Sequence, residues 1–241
     1  MKKSMKKVFA LMIMAVVIMI SAVPALAGIT YDKTMTVYLT PSRNVGGFLY
    51  VRGLTGSQRL KKSDIKSSNP SVAKLGSVDY STYKSNTYGE SSTYIDKYSR
   101  IMFGCNKPGT STISFKVGSK TYKSKVTIRK YVNPLSSLTI TGINGGKSIH
   151  RTFNKENECD YKFNKTVSNA RIRAKARDGW YISALTIYHS GNRYSTYNIK
   201  NDKTISALNL RMPKFGKGYS LQMVLLNKSN GGDLELDVYF G

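Results

Sequence analysis

Thr112-Ile113-Ser114-Phe115-Lys116-Val117, then Gly118-Ser119, then Thr121-Tyr122-Lys123-Ser124-Lys125-Val126-Thr127-Ile128 is the stretch on which the fold turns. Two alternating runs separated by a Gly-containing pair read as a β-hairpin, because glycine supplies the positive φ that a tight hairpin turn needs. The same pattern extends outward. Thr34 to Leu39 alternates Met35, Val37 and Leu39 with Thr34, Thr36 and Tyr38, and Phe48-Leu49-Tyr50-Val51 follows a Gly-Gly pair. Asn133-Pro134 closes the strand holding Val126 and Ile128, and Leu138-Thr139-Ile140 opens a new one. Short strands punctuated by Gly, Pro, Asn and Ser are the pattern of a sandwich or barrel, and no segment beyond residue 27 keeps a helical period. The expectation is an all-β chain with a domain boundary near 131–136.

Composition narrows the class. The 241 residues carry 38 Lys+Arg against 13 Asp+Glu, a formal charge of +25, with 40% hydrophobic and 11% aromatic residues. That apolar content belongs to a folding chain. Two Cys and two His disfavour a cysteine-rich metal site, a disulfide-dense scaffold and most imidazole chemistry. Lys2, Lys3, Lys6 and Lys7 precede an apolar run from Val8 to Val23, and Ala25-Leu26-Ala27 has the A-x-A cleavage form, so residues 1–27 read as a signal peptide and the mature chain as beginning at Gly28. The apolar run is short for a membrane span, and membrane contact is expected only through this leader before cleavage. Losing it removes four lysines and no acid, leaving +21, of which +13 falls in 28–132 and +8 in 133–241. A charge of this size attracts polyanions without choosing among them. No sorting pattern appears in Val238–Gly241, so a secreted protein, released or held at the cell wall non-covalently, is expected.

Three blocks carry a family resemblance: Ser67-Ser68-Asn69-Pro70-Ser71-Val72-Ala73-Lys74-Leu75, Lys107-Pro108-Gly109-Thr110-Ser111-Thr112-Ile113, and Lys120-Thr121-Tyr122-Lys123-Ser124-Lys125-Val126-Thr127-Ile128. In this order they resemble the bacterial immunoglobulin-like group 2 domain, the invasin/intimin-type sandwich module, over residues 34–130. The resemblance implies a scaffold and adhesion role and supplies no catalytic residues. The chain departs from the pattern before Leu60 and across 77–99, a Tyr/Ser-rich insertion. The fold expected is therefore two consecutive immunoglobulin-like β-sandwich domains after the signal peptide, 28–132 and 133–241. The second resembles repeat domains of Gram-positive surface proteins only in Gly179-Trp180-Tyr181-Ile182 and Met212-Pro213, and its family stays open.

Two constellations are candidate binding sites. Arg171, Arg173, Lys175 and Arg177 alternate with Ala170, Ile172, Ala174 and Ala176, which on a strand aligns four cations on one face. They form either a rail for a polyanion or cross-strand ion pairs with Asp233, Glu235 and Asp237, which alternate in the same way near the C-terminus. Those carboxylates stand too far apart along a strand to wrap a calcium ion without loop ligands. Tyr80, Tyr83, Tyr88, Tyr94 and Tyr98 crowd the insertion, and read either as an adaptable, sugar-stacking contact surface or as a solvated hairpin made by β-propensity alone.

Enzyme readings find no motif. Asp79, Glu90, Asp96, Glu156, Glu158 and Asp160 form no recognisable carboxylate pair, His150 and His189 read as exposed strand residues, and Gly142-Ile143-Asn144-Gly145-Gly146-Lys147-Ser148 misses the phosphate-loop spacing. No cofactor and no metal is expected. Cys105 and Cys159 fall in different domains, and export permits either an interdomain disulfide or two unpaired thiols. The function expected is a non-enzymatic binding or adhesion protein that contacts an anionic cell-wall polymer or glycan, or a surface protein. The alternatives are a structural spacer in a surface assembly and extracellular nucleic-acid binding.

Overall fold

The computed structural model describes residues 28–41, 46–55, 58–86, 93–198 and 205–241. The leader at 1–27 lies outside them, as do the side chains of 82–97 and 194–204. Among the described residues strands dominate, with three short 3-10 turns at 62–64, 144–146 and 150–154.

Among the described residues seven strands close the first core. Strands β1 (Thr34–Tyr38), β7 (Lys120–Arg129), β6 (Gly109–Val117) and β3 (Ile65–Ser67) make one sheet in that order. Strands β2 (Gly46–Arg52), β5 (Thr93–Cys105) and β4 (Ala73–Asn86) make the facing one. β1 runs parallel to the final strand β7, and the hairpin β6–β7 closes at Gly118, whose φ is 59°. This is the arrangement of an immunoglobulin-type sandwich, in which the first strand's continuation crosses to the last strand of the opposite sheet. Leu49, Val51, Ile101, Ile113, Phe115 and Val126 are buried between the sheets, as period-two alternation requires.

The three sequence blocks meet in space. Val72 is buried, and Leu75 packs partly buried against the same core. The Ser67 hydroxyl lies 2.7 Å from the Ala73 carbonyl and 2.9 Å from the Ser111 hydroxyl, which also accepts from the Asn69 amide at 3.1 Å. Gly109 has φ 151°, and a Cβ there would stand 2.9 Å from a Val72 methyl, so only glycine fits both the backbone and the contact. Residues 77–86 and 93–99 fall within strands β4 and β5, which pair from Ala73↔Cys105 to Asn86↔Thr93 with a register shift between Leu75 and Val78.

Among the described residues eight strands close the second core. Strands β8 (Leu135–Ile140), β10 (Thr166–Ala176) and β13 (Ala207–Gly216) form a three-stranded sheet with β10 in the middle. β12 (Asn192–Asn198), β11 (Trp180–His189), β14 (Tyr219–Asn227), β15 (Asp233–Phe240) and β9 (Glu158–Tyr161) form the facing sheet, with β9 parallel to β15. The first strand is again split between two sheets, here as β8 and β9. The chain is thus all-β, built as immunoglobulin-like sandwiches. The connection between the cores is tied down locally. The Asn133 side chain donates to the carbonyl of His150 and the side chain of Asn154 and accepts from the Leu135 amide, while the Tyr131 hydroxyl donates to the Phe153 carbonyl at 2.7 Å. Tyr38 reaches from β1 into the second core. Its ring centroid is 5.2 Å from that of Trp180, and its hydroxyl accepts from the Asn230 amide at 3.2 Å.

Several expectations change. Cys105 and Cys159 are both free thiols, Cys105 buried in the first core and Cys159 packed against the second, so no bridge joins the cores. Burial pushes the Cys105 thiol up to about 11 and raises Cys159 in the same direction. His150 lies in the 150–154 turn rather than on a strand, with its Nδ1 2.8 Å from the Ser148 hydroxyl. His189 is an exposed strand residue as expected, its ring 4.3 Å from that of Tyr219. Among the described residues no three His, Cys, Asp or Glu side chains gather as a metal site would require, and no helix is long and apolar enough to cross a membrane.

Candidate functional site

Three of the four alternating cations, Arg171, Arg173 and Lys175, lie on the outer face of the β8-β10-β13 sheet. Along β10, Ala170, Ile172, Ala174 and Ala176 are buried, while Arg171 is half-buried and Arg173 and Lys175 are exposed. The central position of β10 gives the cations neighbours on both sides. On β8, Thr139 stands opposite Arg173 and Ser137 opposite Lys175; on β13, Arg211 stands opposite Arg171 and Asn209 opposite Arg173. Arg171, Arg173 and Arg211 line a shallow depression of about 540 Å³ together with Thr141, Asn169 and Pro213.

The acidic ladder is not beside this rail. β10 pairs with β8 and β13, whereas β15 pairs with β14 and β9 in the other sheet, so the cross-strand ion pairs with Asp233, Glu235 and Asp237 do not form. Among the described residues none of Arg171, Arg173, Lys175 and Arg211 has a carboxylate within ion-pair distance. Arg177 leaves the rail: it follows β10, and its Nε donates to the Leu135 carbonyl at 3.1 Å while its amide donates to Pro134. That arginine fastens the entry to the second core.

The direct pairing Arg171↔Arg211 is the informative geometry. Like charges directly opposite one another in an antiparallel pair oppose folding by a few tenths of a kcal/mol. Here they are left uncompensated beside a third arginine and the hydroxyls of Thr139 and Thr141. Planar guanidinium forks are suited to phosphate or carboxylate oxygens, each fork giving two parallel hydrogen bonds, while the Thr141 hydroxyl donates to the Arg171 carbonyl at 3.4 Å. Arg211 is the residue that reading the sequence as single strands misses. Its alternation with Leu210 and Met212 marks it as outward-facing, but nothing local says that it faces Arg171.

The tyrosines are less concentrated than their spacing suggests. Tyr80 and Tyr98 are half-buried on β4 and β5 and stand at different register positions, opposite Ser99 and Ser81. Tyr80 lies under the guanidinium of Arg59, 3.4 Å from the ring centroid, and Tyr98 packs edge-on to Tyr50 at 5.4 Å. Tyr83 and Tyr94 hold register positions opposite Asp96 and Ser85, with side chains outside the described residues, and Tyr88 lies outside them altogether. Around Tyr98 the sheet presents residues that the sequence did not single out: exposed Phe48, Tyr50, and Arg100, whose Nη2 donates to Asp79 at 2.7 Å.

No protein-family model matches this chain, and no curated protein does. Among solved structures the chain is similar to the fibronectin(III)-like modules of Clostridium thermocellum CbhA, at 9% identity and TM-score 0.28 over 88% of this chain and 94% of that one. It is similar to domains 5-6 of the S-layer protein SbsC, at 13% identity and TM-score 0.31 over 90% and 99%. It is also similar to the titin Ig tandem domains A164-A165, at 12% identity and TM-score 0.24 over 89% and 96%. Scores of this size carry no argument, and the immunoglobulin-like architecture rests on the strand order and register above.

Proposed function

We propose that this chain is an exported, non-enzymatic binding protein of the cell surface that holds an anionic envelope polymer or glycan across the β8-β10-β13 face. The observation that carries the reading is the opposed pair Arg171↔Arg211, flanked by Arg173 and without a carboxylate among the described residues. Phosphodiester or carboxylate groups spaced along a polymer relieve that repulsion and match the row of cations, and the charge of +21 on the mature chain raises the polymer's local concentration. The reading includes the leader at 1–27 as a cleaved signal, two units at 28–132 and 133–241, and the group 2 immunoglobulin-like family for the first. The spatial meeting of Val72 with Gly109 and of Ser67 with Ser111 supports that family.

The test is co-sedimentation of residues 28–241 with purified cell walls, before and after chemical removal of their anionic polymers, at low and high salt. Retention is expected to fall with polymer removal and with salt, and to fall at least about tenfold in Arg171→Glu/Arg211→Glu, since reversal replaces attraction at contact with repulsion. Retention unaffected by that double substitution overturns the site. Retention that survives polymer removal moves the contact to a neutral glycan or to peptide. Oligonucleotides that compete at equal charge with wall polymer make the ligand any phosphodiester chain.

A further inference from the structure

Two asparagines of the chain precede glycine, and each opens an Asn-Gly-Gly turn: Asn144-Gly145-Gly146 after β8 and Asn230-Gly231-Gly232 between β14 and β15. Asparagine is thermolabile, and before glycine its carboxamide most readily meets the next main-chain nitrogen, because glycine has no side chain to block the approach. The structure treats the two turns differently. At Asn230 every reacting group is engaged. Its Nδ2 donates to the Tyr38 hydroxyl at 3.2 Å, its Oδ1 accepts from the Gly232 amide at 2.9 Å, and the Gly231 amide donates to the Asn227 carbonyl at 2.9 Å. Gly232 is buried against β1, where a Cβ would stand 2.9 Å from atoms of Thr36 and Tyr38.

At Asn144 these restraints are missing. Asn144, Gly145 and Gly146 are exposed, with φ of 51°, 59° and 77°, and a Cβ on either glycine would meet nothing within 4 Å. Among the described residues neither the Asn144 carboxamide nor the Gly145 N–H has a hydrogen-bond partner. The turn is closed by the Gly146 amide on the Ile143 carbonyl at 2.9 Å and the Lys147 amide on the Asn144 carbonyl at 3.0 Å, and backbone bonds this exposed open at little cost. We propose that Asn144 is a site of spontaneous covalent modification in the folded chain, and that the Tyr38 contact keeps Asn230 intact. The Gly145 nitrogen gives its proton to solvent and bonds to Cγ of Asn144. The Cγ–Nδ2 bond breaks, and the nitrogen takes a proton from solvent and leaves as ammonia, so that a five-membered succinimide closes. Water opens the ring at either carbonyl, leaving aspartate or, with the main chain rerouted through Cγ, isoaspartate. One water is consumed and one ammonia released, with no change of oxidation state. The product puts a carboxylate three residues beyond Thr141, which borders the arginine depression, and lowers the mature charge of +21 by one. This chemistry is independent of the polymer reading.

The test follows both turns in one sample. Residues 28–241 are held in warm, mildly alkaline buffer, sampled over time and cleaved after lysine and arginine, which puts Asn144 in the peptide 131–147 and Asn230 in the peptide 229–241. Mass spectrometry is expected to show the amide-to-acid mass increase accumulating in 131–147 as two chromatographic forms, aspartate and isoaspartate. Fragmentation should place it at Asn144 and not at Asn133, which precedes proline. In the same samples 229–241 is expected to convert at least about tenfold more slowly, since three hydrogen bonds of ordinary net strength must open first. In denaturant both peptides are expected to convert at similar rates, because the shared Asn-Gly-Gly sequence alone then governs. Tyr38→Phe removes the hydroxyl and keeps the ring that packs on Trp180. With circular dichroism showing it folded, this variant is expected to convert 229–241 severalfold faster than the wild type and 131–147 at the same rate. Equal rates at the two sites in the native chain overturn the proposal, as does an Asn144 that stays intact in the folded chain while the denatured chain converts. Undiminished protection of Asn230 in Tyr38→Phe overturns the part given to the tyrosine.

Discussion

Replacing Arg211 with glutamine should make the second sandwich more stable while weakening its hold on polyanions. Arg171 and Arg211 are cross-strand partners on an outer face, and neither has a carboxylate partner among the described residues. Cβ atoms in such a pair stand about 4.5–5.5 Å apart, and long side chains relax their heads to roughly 5–7 Å. At a water-like dielectric two unit charges at that separation repel by about 0.6–0.8 kcal/mol. Arg173, one step along β10, adds a smaller share. Glutamine keeps part of the aliphatic stem, so little packing is lost. A domain of about 100 residues moves by about 4–8 °C per kcal/mol, so a rise in Tm of about 2–6 °C is expected at low ionic strength. Differential scanning calorimetry of the mature chain at about 10 mM and about 1 M salt tests it. The Debye length shrinks from about 30 Å to about 3 Å between those conditions, so the gain should vanish at high salt. A Tm that falls, or a gain of equal size at both salt concentrations, refutes the claim that the arginine pair is held in uncompensated repulsion.

Three further outcomes follow from the geometry. Both cysteines are free and their thiols are raised by burial, Cys105 to about 11; the native chain should resist alkylation near neutral pH, and the denatured chain should gain two adducts without reductant by mass spectrometry. Adducts that appear only after reduction would restore the bridge. Burial, with help from Arg151 and Arg177, holds the His150 imidazole below its ordinary value. The unfolded chain therefore binds that proton near pH 6.5 when the folded one does not, so its contribution is fully present above about pH 6.5 and is lost as pH falls through the folded value. Urea midpoints measured between about pH 7 and 5 should slope less in His150→Gln than in the wild type. In Gly109→Ala the new methyl meets Val72 at 2.9 Å on a backbone with φ 151°. A loss of about 1–3 kcal/mol is expected from equilibrium unfolding of the first sandwich, and a neutral result would detach the Lys-Pro-Gly block from the turn it is argued to hold.

What the sequence discloses and what it withholds divide along one line. Alternation is a local property, so Ile113 and Phe115, Val126 and Ile128, Ala170 to Ala176 and Leu234 to Val238 announce both strand and inward face, and all of them are buried as that alternation requires. Pairing is not local. β10 and β15 each show their ladder plainly, but whether they lie side by side depends on the order in which eight strands are laid into two sheets. That order puts β10 between β8 and β13, and β15 between β14 and β9. Nothing in the composition of Thr166–Ala176 names its neighbours, so Arg211 becomes part of the site only once the register Arg171↔Arg211 is known. The same limit applies to the cysteines: the boundary near 131–136 puts Cys105 and Cys159 in different units, but whether they bridge is a matter of packing.

The consequence is larger than a misplaced neighbour. Had the cationic and acidic ladders been adjacent, they would have cancelled on one face and left a neutral, bland surface worth a few tenths of a kcal/mol per pair. Placed on facing sheets about 10 Å apart across an apolar core, they cannot reach each other, and the arginines are left without carboxylate partners among the described residues. Any counter-charge for the arginine face must therefore come from elsewhere, and under the reading proposed above it is a polyanion. The residues and their alternation are the same in both arrangements, so what makes the surface functional is the topology that keeps the two ladders from meeting.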